Sequence, residues 1–229
     1  MRQAKALISW SSGKDSAWML HRLRQTGEIE IAGLLTTTTE AGDEDRVAMH
    51  RVRRSILKEQ AKAARLPLEE IRLPDPCSEE AYAAAMRAFV ERALARGITH
   101  IAFGDLFLED VRAYREQRLS GSGLQPLFPL WGSDTEALAG EMIASGLQAH
   151  IVSIDLCKLE PEFLGRSYDR ALLAALPVGS DPCGEYGEFH TLVSAGPMFD
   201  APLQLECGTP ELGETHGHID FRPRDCGGA

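Results

Sequence analysis

The sequence predicts an α/β protein in which a mainly parallel sheet is flanked by helices and followed by a second, smaller α+β domain. In the first half of the chain, short apolar runs alternate with longer segments whose apolar residues recur every three or four positions. The apolar runs end in small or polar residues, as strands that lead into loops do. From residue 177 onwards Gly and Pro become frequent and the predicted elements shorten, which indicates a different unit.

The first half alternates strand and helix. Strands are predicted at residues 5–10, 30–36, 69–73 and 99–103, and helices at residues 14–26, 47–65 and 78–96. The first helix carries Trp18, Met19 and Leu23 on one face and stops at Gly27, while the third stops at Gly97. Strands that are joined through helices run parallel, so helices should cover both faces of this sheet.

The second half begins where the chain loosens at residues 120–123, which form either a hinge or the turn before the next strand. The predicted elements that follow are a strand at 124–130, a helix at 133–144, a strand at 149–154 and a mostly helical stretch at 162–176. Ser133 and Glu136 have the spacing of a capping box at the start of the helix. These features divide the chain into domains at residues 1–124 and 125–229.

Composition and charge restrict the classes of function. Apolar residues make up 44% of the 229 residues, which is typical of a chain with a packed core. The net charge of −10, from 24 basic and 34 acidic residues, argues against a nucleic-acid partner. No apolar run has the length that spans a membrane, and residues 1–5 lead straight into the first strand, which leaves no room for a signal peptide.

The five cysteines form no C-x-x-C pair. An odd, scattered set is typical of reduced thiols, so we expect a cytoplasmic protein without a zinc site. His216 and His218 are separated by one residue near the Gly-rich C-terminus, where an exposed loop is favoured over a metal site.

The most informative motif is the polar loop behind the first strand, Ser11-Ser12-Gly13-Lys14-Asp15-Ser16. A strand that turns at once into a helix directs backbone N–H groups to one spot at the positive end of the helix dipole, where a phosphate binds. Lys14 adds a mobile positive charge, the serines add hydroxyl donors, and Gly13 permits close approach of an anion. The spacing matches neither a Walker A loop nor a dinucleotide fingerprint. The alternative is an ordinary turn in which Ser and Asp cap the helix.

Two further polar segments follow predicted strands, namely residues 36–39 and the pair Gly104-Asp105. Ligands of parallel sheets bind outside the carboxyl ends of the strands, near the point where the strand order reverses. The sequence therefore predicts one cleft for the polar loop, Thr36, Gly104 and Asp105.

A second motif packs carboxylates, an imidazole and two glycines into residues 181–191. Glu188 and His190 alternate with Phe189, as on a strand that buries the ring and presents both polar groups to one side, and Glu185 can curl to the same side. Such a group can hold a divalent cation, orient an amine or move a proton. A purely structural hydrogen-bond network is an equal alternative.

Several motifs together resemble the diphthine–ammonia ligase family, whose polar loop is similar to the S-G-G-x-D-S loop of ATP pyrophosphatases. The matching segments are Ser9-Trp10-Ser11-Ser12-Gly13-Lys14-Asp15-Ser16, Met49-His50, Phe103-Gly104-Asp105-Leu106, Phe128-Pro129-Leu130-Trp131-Gly132, Phe163-Leu164-Gly165-Arg166, residues 184–191 and Gly196-Pro197-Met198-Phe199. They run in the family's order from residue 9 to residue 199 and so cover most of the chain.

The resemblance implies an N-terminal HUP-type (Rossmann-like) domain with a PP-loop ATP pyrophosphatase site, followed by a family-specific substrate-binding domain. It further implies a ligase that uses ATP and Mg²⁺. A carboxylate attacks the α-phosphate, pyrophosphate leaves, and ammonia then displaces AMP from the acyl-adenylate to give an amide.

The resemblance also implies roles for individual residues. The nucleotide would be held by Ser11, Ser12, Gly13, Lys14, Asp15, Ser16, Thr36, His50, Gly104 and Asp105, and catalysis would involve Lys14, Glu185, Glu188 and His190. Asp15 and Asp105 are the candidate Mg²⁺ ligands. The alternatives are helix N-terminal charge for Asp15, a turn cap for Asp105 and a buried structural histidine for His50. Glu188 is preferred as the base or the ammonium anchor.

Two departures from the family pattern bear on the substrate. Ser12 stands where many such loops have Gly, and Tyr186 stands where the family usually has Asn, which leaves the acceptor open. The acceptor is expected to be diphthine on elongation factor 2 for an archaeal or eukaryotic chain, and a small carboxylate for a bacterial one. No membrane partner is expected, and a homodimer is one option. The alternative functions are a PP-loop tRNA-modifying enzyme and a non-catalytic ATP-binding regulatory module.

Overall fold

The computed structural model describes residues 3–40, 46–47 and 52–224. Its first half contains β1 (Lys5–Ser9), α1 (Lys14–Thr26), β2 (Glu30–Glu40), β3 (Arg46–Val47), α2 (Arg54–Ala63), β4 (Leu68–Pro74), α3 (Glu79–Ala95), β5 (His100–Ala102), α4 (Glu109–Leu119) and β6 (Gln125–Leu127). Its second half contains α5 (Thr135–Ala144), β7 (Gln148–Asp155), a 3₁₀ turn (Pro161–Phe163), α6 (Arg170–Ala175), β8 (Phe189–Ala195), β9 (Leu205–Leu212) and β10 (His216–Pro223).

The first sheet contains parallel strands in the order β4-β2-β1-β5-β6, with the short β3 antiparallel to β2. The chain builds β1, β2 and β4 outward on one side, and α3 then returns it to β5 on the other side of β1. The strand order therefore reverses at β1, and ligands of such sheets bind at the carboxyl ends of the strands beside that point. The predicted α/β class is confirmed, and the arrangement fits a HUP-type domain.

The second sheet is antiparallel, in the order β8-β7-β10-β9. One continuous buried cluster contains Ile8 and Trp18 from the first half of the chain and Ile151 and Phe189 from the second. Burial of side chains of this size stabilises the fold by about 2–3 kcal/mol each. The two sheets are thus held together by a shared core.

The ends of the helices follow their sequence signals closely. α1 ends at Gly27, whose φ of 62° lies in the left-handed region that favours glycine. The Ser78 side chain caps α3 by accepting from Ala81 N. α5 is capped by Asp134, which accepts from Ala137 N, and not by Ser133 as the capping-box spacing predicts.

The sequence does not predict α4, because Leu119 is its one buried residue and it has no apolar stripe. Two predictions of secondary structure are wrong. The second helix begins at Arg54, since residues 46–47 pair with β2 instead. Only α6 and the 3₁₀ turn are helical between residues 162 and 176. Gly165 has φ 77°, and residues 165–168 run beside β7 with backbone hydrogen bonds to Ala149 and Ile151.

The strand predicted at 124–130 is the three-residue β6, which pairs with β5 in the first sheet. The division of the chain at residues 124 and 125 stays a prediction. Among the described helices, none combines the length and the apolar character that crossing a membrane requires.

Candidate functional site

The polar loop joins the buried end of β1 to the N-terminus of α1. Lys14 N donates to Thr191 Oγ1 at 3.0 Å, so a side chain of the second sheet meets the first turn of the helix. Ser16 Oγ lies 3.1 Å from Ser11 Oγ and 3.0 Å from Gly13 O. A Cβ atom on Gly13 would lie 3.1 Å from Thr191 O, which leaves room for glycine but little for a larger residue. The loop is therefore shaped by both halves of the chain.

Ser12 turns the loop back towards the second sheet. Its φ of 74° is left-handed, which explains why glycine suits this position. Its carbonyl accepts from Val193 N at 3.0 Å and from Gln60 Nε2 at 3.1 Å. Ser12 is fully buried, and its Oγ has no hydrogen-bond partner among the described residues. The geometry thus points its hydroxyl into the protein and not at a ligand in the cleft.

Two adjoining cavities open along the carboxyl ends of the parallel strands. The polar cavity, of about 260 Å³, lies between the polar loop, residues 103–105 and residues 183–191. The apolar cavity, of about 390 Å³, is bounded by the ends of β2 and β4 and by α3 and α4. Both cavities are lined by Ser9, Ser11, Phe103 and Arg115, so they meet at these four residues.

The cavities gather most of the residues predicted for the site. The polar cavity is lined by Ser11, Gly13, Lys14, Asp15, Ser16, Gly104, Asp105, Glu185 and His190. Thr36 lines the apolar cavity, whereas Ser12 and Glu188 line neither. His50 lies outside the described residues.

Lys14 is almost fully buried and its ammonium group is held from several sides. Nζ donates to the Asp15 carboxylate at 3.0 and 2.9 Å and to the carbonyl of Cys183. It also lies 5.6 and 5.5 Å from the ring centres of Tyr168 and Phe189. Burial lowers the pKa of Lys14, but the neighbouring negative charge, chiefly that of Asp15, outweighs it and leaves the pKa raised. Lys14 is therefore a fixed positive charge in the cavity wall and not a mobile one.

Glu185 connects the second half of the chain to the loop after β5. Its Oε1 accepts from Leu106 N at 2.8 Å, and its own backbone N–H donates to Asp181 at 2.8 Å. Burial raises the pKa of Glu185 to about 7, with a smaller contribution from the charges of Asp15 and Asp105. A carboxyl group with this pKa can take up and release a proton near neutral pH.

Glu188 is buried behind the polar cavity. Its Oε1 accepts from Asp181 N at 2.9 Å, and its Oε2 has no hydrogen-bond partner in the part of the chain described. Phe189 is buried, His190 is half-buried, and both line the polar cavity, so the predicted alternation of Glu188 and His190 with Phe189 does not separate cavity residues from the others. Glu188 therefore positions Asp181, which in turn holds the backbone of Glu185.

Asp105 lies across the polar cavity from the polar loop. Gly104 brings it there, because a Cβ atom at residue 104 would lie 3.1 Å from the Asp15 carbonyl carbon. Asp105 Oδ2 faces Arg115 Nε at 3.5 Å, and neither atom has a hydrogen bond among the described residues. Burial raises the pKa of Asp105, and Arg115 opposes this.

The carboxylates fit Mg²⁺ only as part of a ligand set. Within residues 3–40, 46–47 and 52–224, no group of three His, Cys, Asp or Glu side chains is arranged to hold a metal ion. Magnesium is commonly held by one or two carboxylates together with substrate phosphates and water. Asp15 and Asp105 line one cavity and can supply those carboxylates. His216 and His218 lie on β10 and not in a loop.

Two residues of the site were not predicted from the sequence. Gln60 is fully buried and joins Trp10 Nε1 to the carbonyls of Ser12 and Val193. A lone glutamine on the apolar face of α2 is the signal that could have found it. Arg115 was missed because α4 was missed, although the three-residue spacing of Arg112, Arg115 and Arg118 indicates a common helix face.

Comparison with known proteins yields one family model and a set of curated relatives. The model described as the diphthamide synthase C-terminal domain matches residues 134–223. The diphthine–ammonia ligases of Bos taurus and Homo sapiens are 31% and 30% identical to the chain over 111 residues, which are 46% of this chain and 42% of either relative. That of Danio rerio is 38% identical over 88 residues, 36% of this chain and 34% of the relative.

The chain thus spans less than half the length of these curated relatives. The matching domain model lies in the half that contributes Glu185, His190 and Thr191 to the site. These matches support the resemblance to the diphthine–ammonia ligase family that the motifs of the sequence indicate.

Proposed function

We propose that the chain is an ATP-dependent ligase that adenylates a carboxylate, releases pyrophosphate and transfers ammonia to the activated carbonyl. The names of its relatives support ligation of ammonia. The observation that carries the proposal is the pair of cavities that meet at the end of β1. One cavity is apolar and large enough for a nucleoside, and the other is lined by a helix N-terminus, a lysine and two aspartates.

In this proposal the nucleoside occupies the apolar cavity, beside Thr36 and the rings of Tyr82 and Phe103. The β- and γ-phosphates enter the polar cavity, where backbone N–H groups of the loop and the fixed charge of Lys14 receive them. Mg²⁺, held with the phosphates by Asp15 and Asp105, would neutralise part of their charge.

The first step forms a bond between a carboxylate oxygen and the α-phosphorus and breaks the bond from that phosphorus to the pyrophosphate oxygen. Negative charge grows on the leaving pyrophosphate, and Lys14 offsets it without having to move, because its surroundings already hold it in place. Since its pKa is raised, Lys14 keeps its charge throughout the neutral pH range.

The second step forms a carbon–nitrogen bond and breaks the bond from the acyl carbon to the AMP oxygen. The attacking ammonia must lose a proton, and Glu185, whose pKa is about 7, is the side chain best suited to take it. Glu185 thus replaces Glu188 as our preferred base, because Glu188 is buried against Asp181. His190 lines the same cavity and would orient the ammonia or the acyl group.

The acceptor enters from the side of the polar cavity that residues 183–191 form. Tyr186 is exposed there, with its ring 5.2 Å from that of Phe107. We propose diphthine on elongation factor 2 as the acceptor for an archaeal or eukaryotic chain and a small carboxylate for a bacterial one. Free cysteines, such as the exposed Cys77 and Cys157, suit a cytoplasmic site for this reaction.

The test is product analysis with ATP, Mg²⁺ and ammonium in the presence of a panel of carboxylates and, separately, of diphthine-bearing elongation factor 2. The proposal expects AMP and pyrophosphate in equal amounts, together with amide, for at least one acceptor. A Glu211→Gln variant, altered on the exposed strand β9, serves as the unaffected control. Formation of ADP and phosphate with no AMP would refute the proposal and favour a nucleotide-binding module.

A further inference from the structure

Arg115 is the charged side chain that the two cavities share. It extends from α4, and the carbon at the centre of its guanidinium group lies 5.0 Å from the centre of the Phe103 ring. Attraction between a guanidinium group and the face of an aromatic ring holds the arginine side chain beside that ring. The other residues common to both cavities, Ser9, Ser11 and Phe103, are uncharged.

The hydrogen bonding of Arg115 is incomplete. Its Nε is buried and stands 3.5 Å from Asp105 Oδ2, which is longer than a good hydrogen bond, and neither atom has a hydrogen-bond partner among the described residues. Buried charged groups ordinarily satisfy their hydrogen bonds, so this pair is short of partners. An anion beside Arg115 and a cation beside Asp105 would supply the missing partners of these two side chains.

We infer that Arg115 binds the α-phosphate of the nucleotide, an inference that rests on the proposed function. With the nucleoside in the apolar cavity and the terminal phosphates in the polar one, the phosphate next to the ribose must lie at the shared boundary. A guanidinium fork matches the non-bridging oxygens of a phosphate. While the new carboxylate–phosphorus bond forms and the pyrophosphate bond breaks, Arg115 stabilises the charge on these oxygens.

Arg112 provides a matched control on the same helix, one turn before Arg115. Its guanidinium also stacks on aromatic rings, at 5.0 Å from Phe128 and 4.8 Å from Trp131. Its side chain is 39% exposed, against 34% for Arg115. It pairs with Glu116 at 2.8 Å and lines neither cavity. Loss of its charge therefore reproduces the general effects of losing an arginine from α4.

The experiment compares Arg115→Gln and Arg112→Gln with the parent chain. Affinities for ATP, AMP and adenosine are measured by calorimetry or by ligand-observed NMR with ligands up to millimolar concentration, and folding is checked by thermal melting. We expect Arg115→Gln to weaken the binding of ATP and of AMP about ten- to a hundredfold, as the loss of a charged hydrogen bond does. Adenosine affinity should be unchanged, Arg112→Gln should behave as the parent, and Arg115→Lys should recover part of the loss.

Several results would overturn the assignment. If Arg115→Gln weakens the binding of ATP but not of AMP, the side chain contacts the β- or γ-phosphate instead. If the binding of adenosine is weakened equally, Arg115 only shapes the apolar cavity. If the binding of no ligand is weakened, Arg115 makes no contact with the nucleotide. A parent chain that binds ATP but not AMP at millimolar concentration has no formed α-phosphate subsite. Each of these leaves the ligase proposal standing, whereas that proposal fails separately if the parent releases no pyrophosphate with any acceptor.

Discussion

Replacement of Lys14 by Met tests how far the polar loop depends on a buried charge. Methionine keeps most of the apolar stem but removes the ammonium group, which donates to Asp15 and to the Cys183 carbonyl. Breaking a buried ion pair costs about 3–5 kcal/mol, because one charge stays behind without its partner. The Asp15 side chain is 28% exposed and can regain some water, so we expect a loss of about 2–4 kcal/mol in the free energy of unfolding.

The loss in the free energy of unfolding should be larger at neutral pH than at acidic pH. Burial raises the pKa of Asp15, and among the described residues Lys14 opposes this most strongly, so loss of Lys14 raises the pKa of Asp15 further. A carboxyl group whose folded pKa is raised destabilises the fold once the pH exceeds its unfolded value of about 3.9, so the deficit should shrink as the pH falls towards that value. Adding Asp15→Asn to Lys14→Met should recover part of the stability at pH 7.

The measurement is urea unfolding of the parent, Lys14→Met and the double variant at several pH values, followed by tryptophan fluorescence. Lys158→Met is the matched control, since Lys158 pairs with Asp155 at 3.4 Å on the surface with 42% of its side chain exposed, and we expect less than about 1 kcal/mol there. Equal, small losses for both lysines would refute the view that Lys14 is a fixed internal charge.

Three further substitutions test the site. Glu185→Gln should make the fold about 1–2 kcal/mol more stable than the parent above pH 7 and equal to it near pH 4, because the raised pKa of about 7 costs the parent stability as the pH rises; urea unfolding at both pH values measures this. The same variant should lose amide formation. Gln60→Leu should cost about 2–3 kcal/mol, since it removes the partner of Trp10 and of the Ser12 and Val193 carbonyls, again measured by urea unfolding. Ser12→Ala should leave ATP affinity unchanged by calorimetry, because the Ser12 hydroxyl faces the interior.

Controls and contrary outcomes are defined for each. For Glu185→Gln the control is Glu211→Gln on the exposed strand β9, and a stability difference independent of pH would contradict the raised pKa. For Gln60→Leu the control is Glu59→Leu, on the exposed side of the same helix. Equal losses of stability in the two variants would contradict the role of the Gln60 hydrogen bonds. A tenfold weaker ATP affinity in Ser12→Ala would mean that this hydroxyl turns towards the phosphates.

The α/β class, the positions of the first four parallel strands along the chain and the helices α1 and α3 could be predicted because each depends on a local signal. Alternating apolar runs, helical spacing and a glycine at the helix end act within a few residues of the chain. The convergence of the polar loop with Gly104 and Asp105 followed from the rule that ligands lie at the carboxyl ends of parallel strands. That rule needs only the topology.

What escaped prediction depends on contacts between distant parts of the chain. The role of Gln60 depends on its hydrogen bonds to Ser12 and Val193, which are 48 and 133 residues away in the sequence. Nothing in the local pattern of α2 indicates these contacts. The helix α4 is almost entirely solvent-facing, so its pattern lacks the apolar stripe on which prediction relies. Glu188 alternates correctly with its neighbours, but strand alternation alone does not distinguish a cavity from a buried hydrogen bond to Asp181.

The hydrogen bonds from Val193 N to Ser12 O and from Lys14 N to Thr191 Oγ1 cross between the two sheets. A fragment ending after the first sheet would lose these bonds and the Cys183 carbonyl that receives Lys14, so its turn after β1 would relax. Joining the first half of the chain to a different second half would fail for the same reason, unless residues equivalent to Thr191 and Val193 came with it. If the second half binds the acceptor as proposed, a new substrate preference has to arise around an unchanged β8.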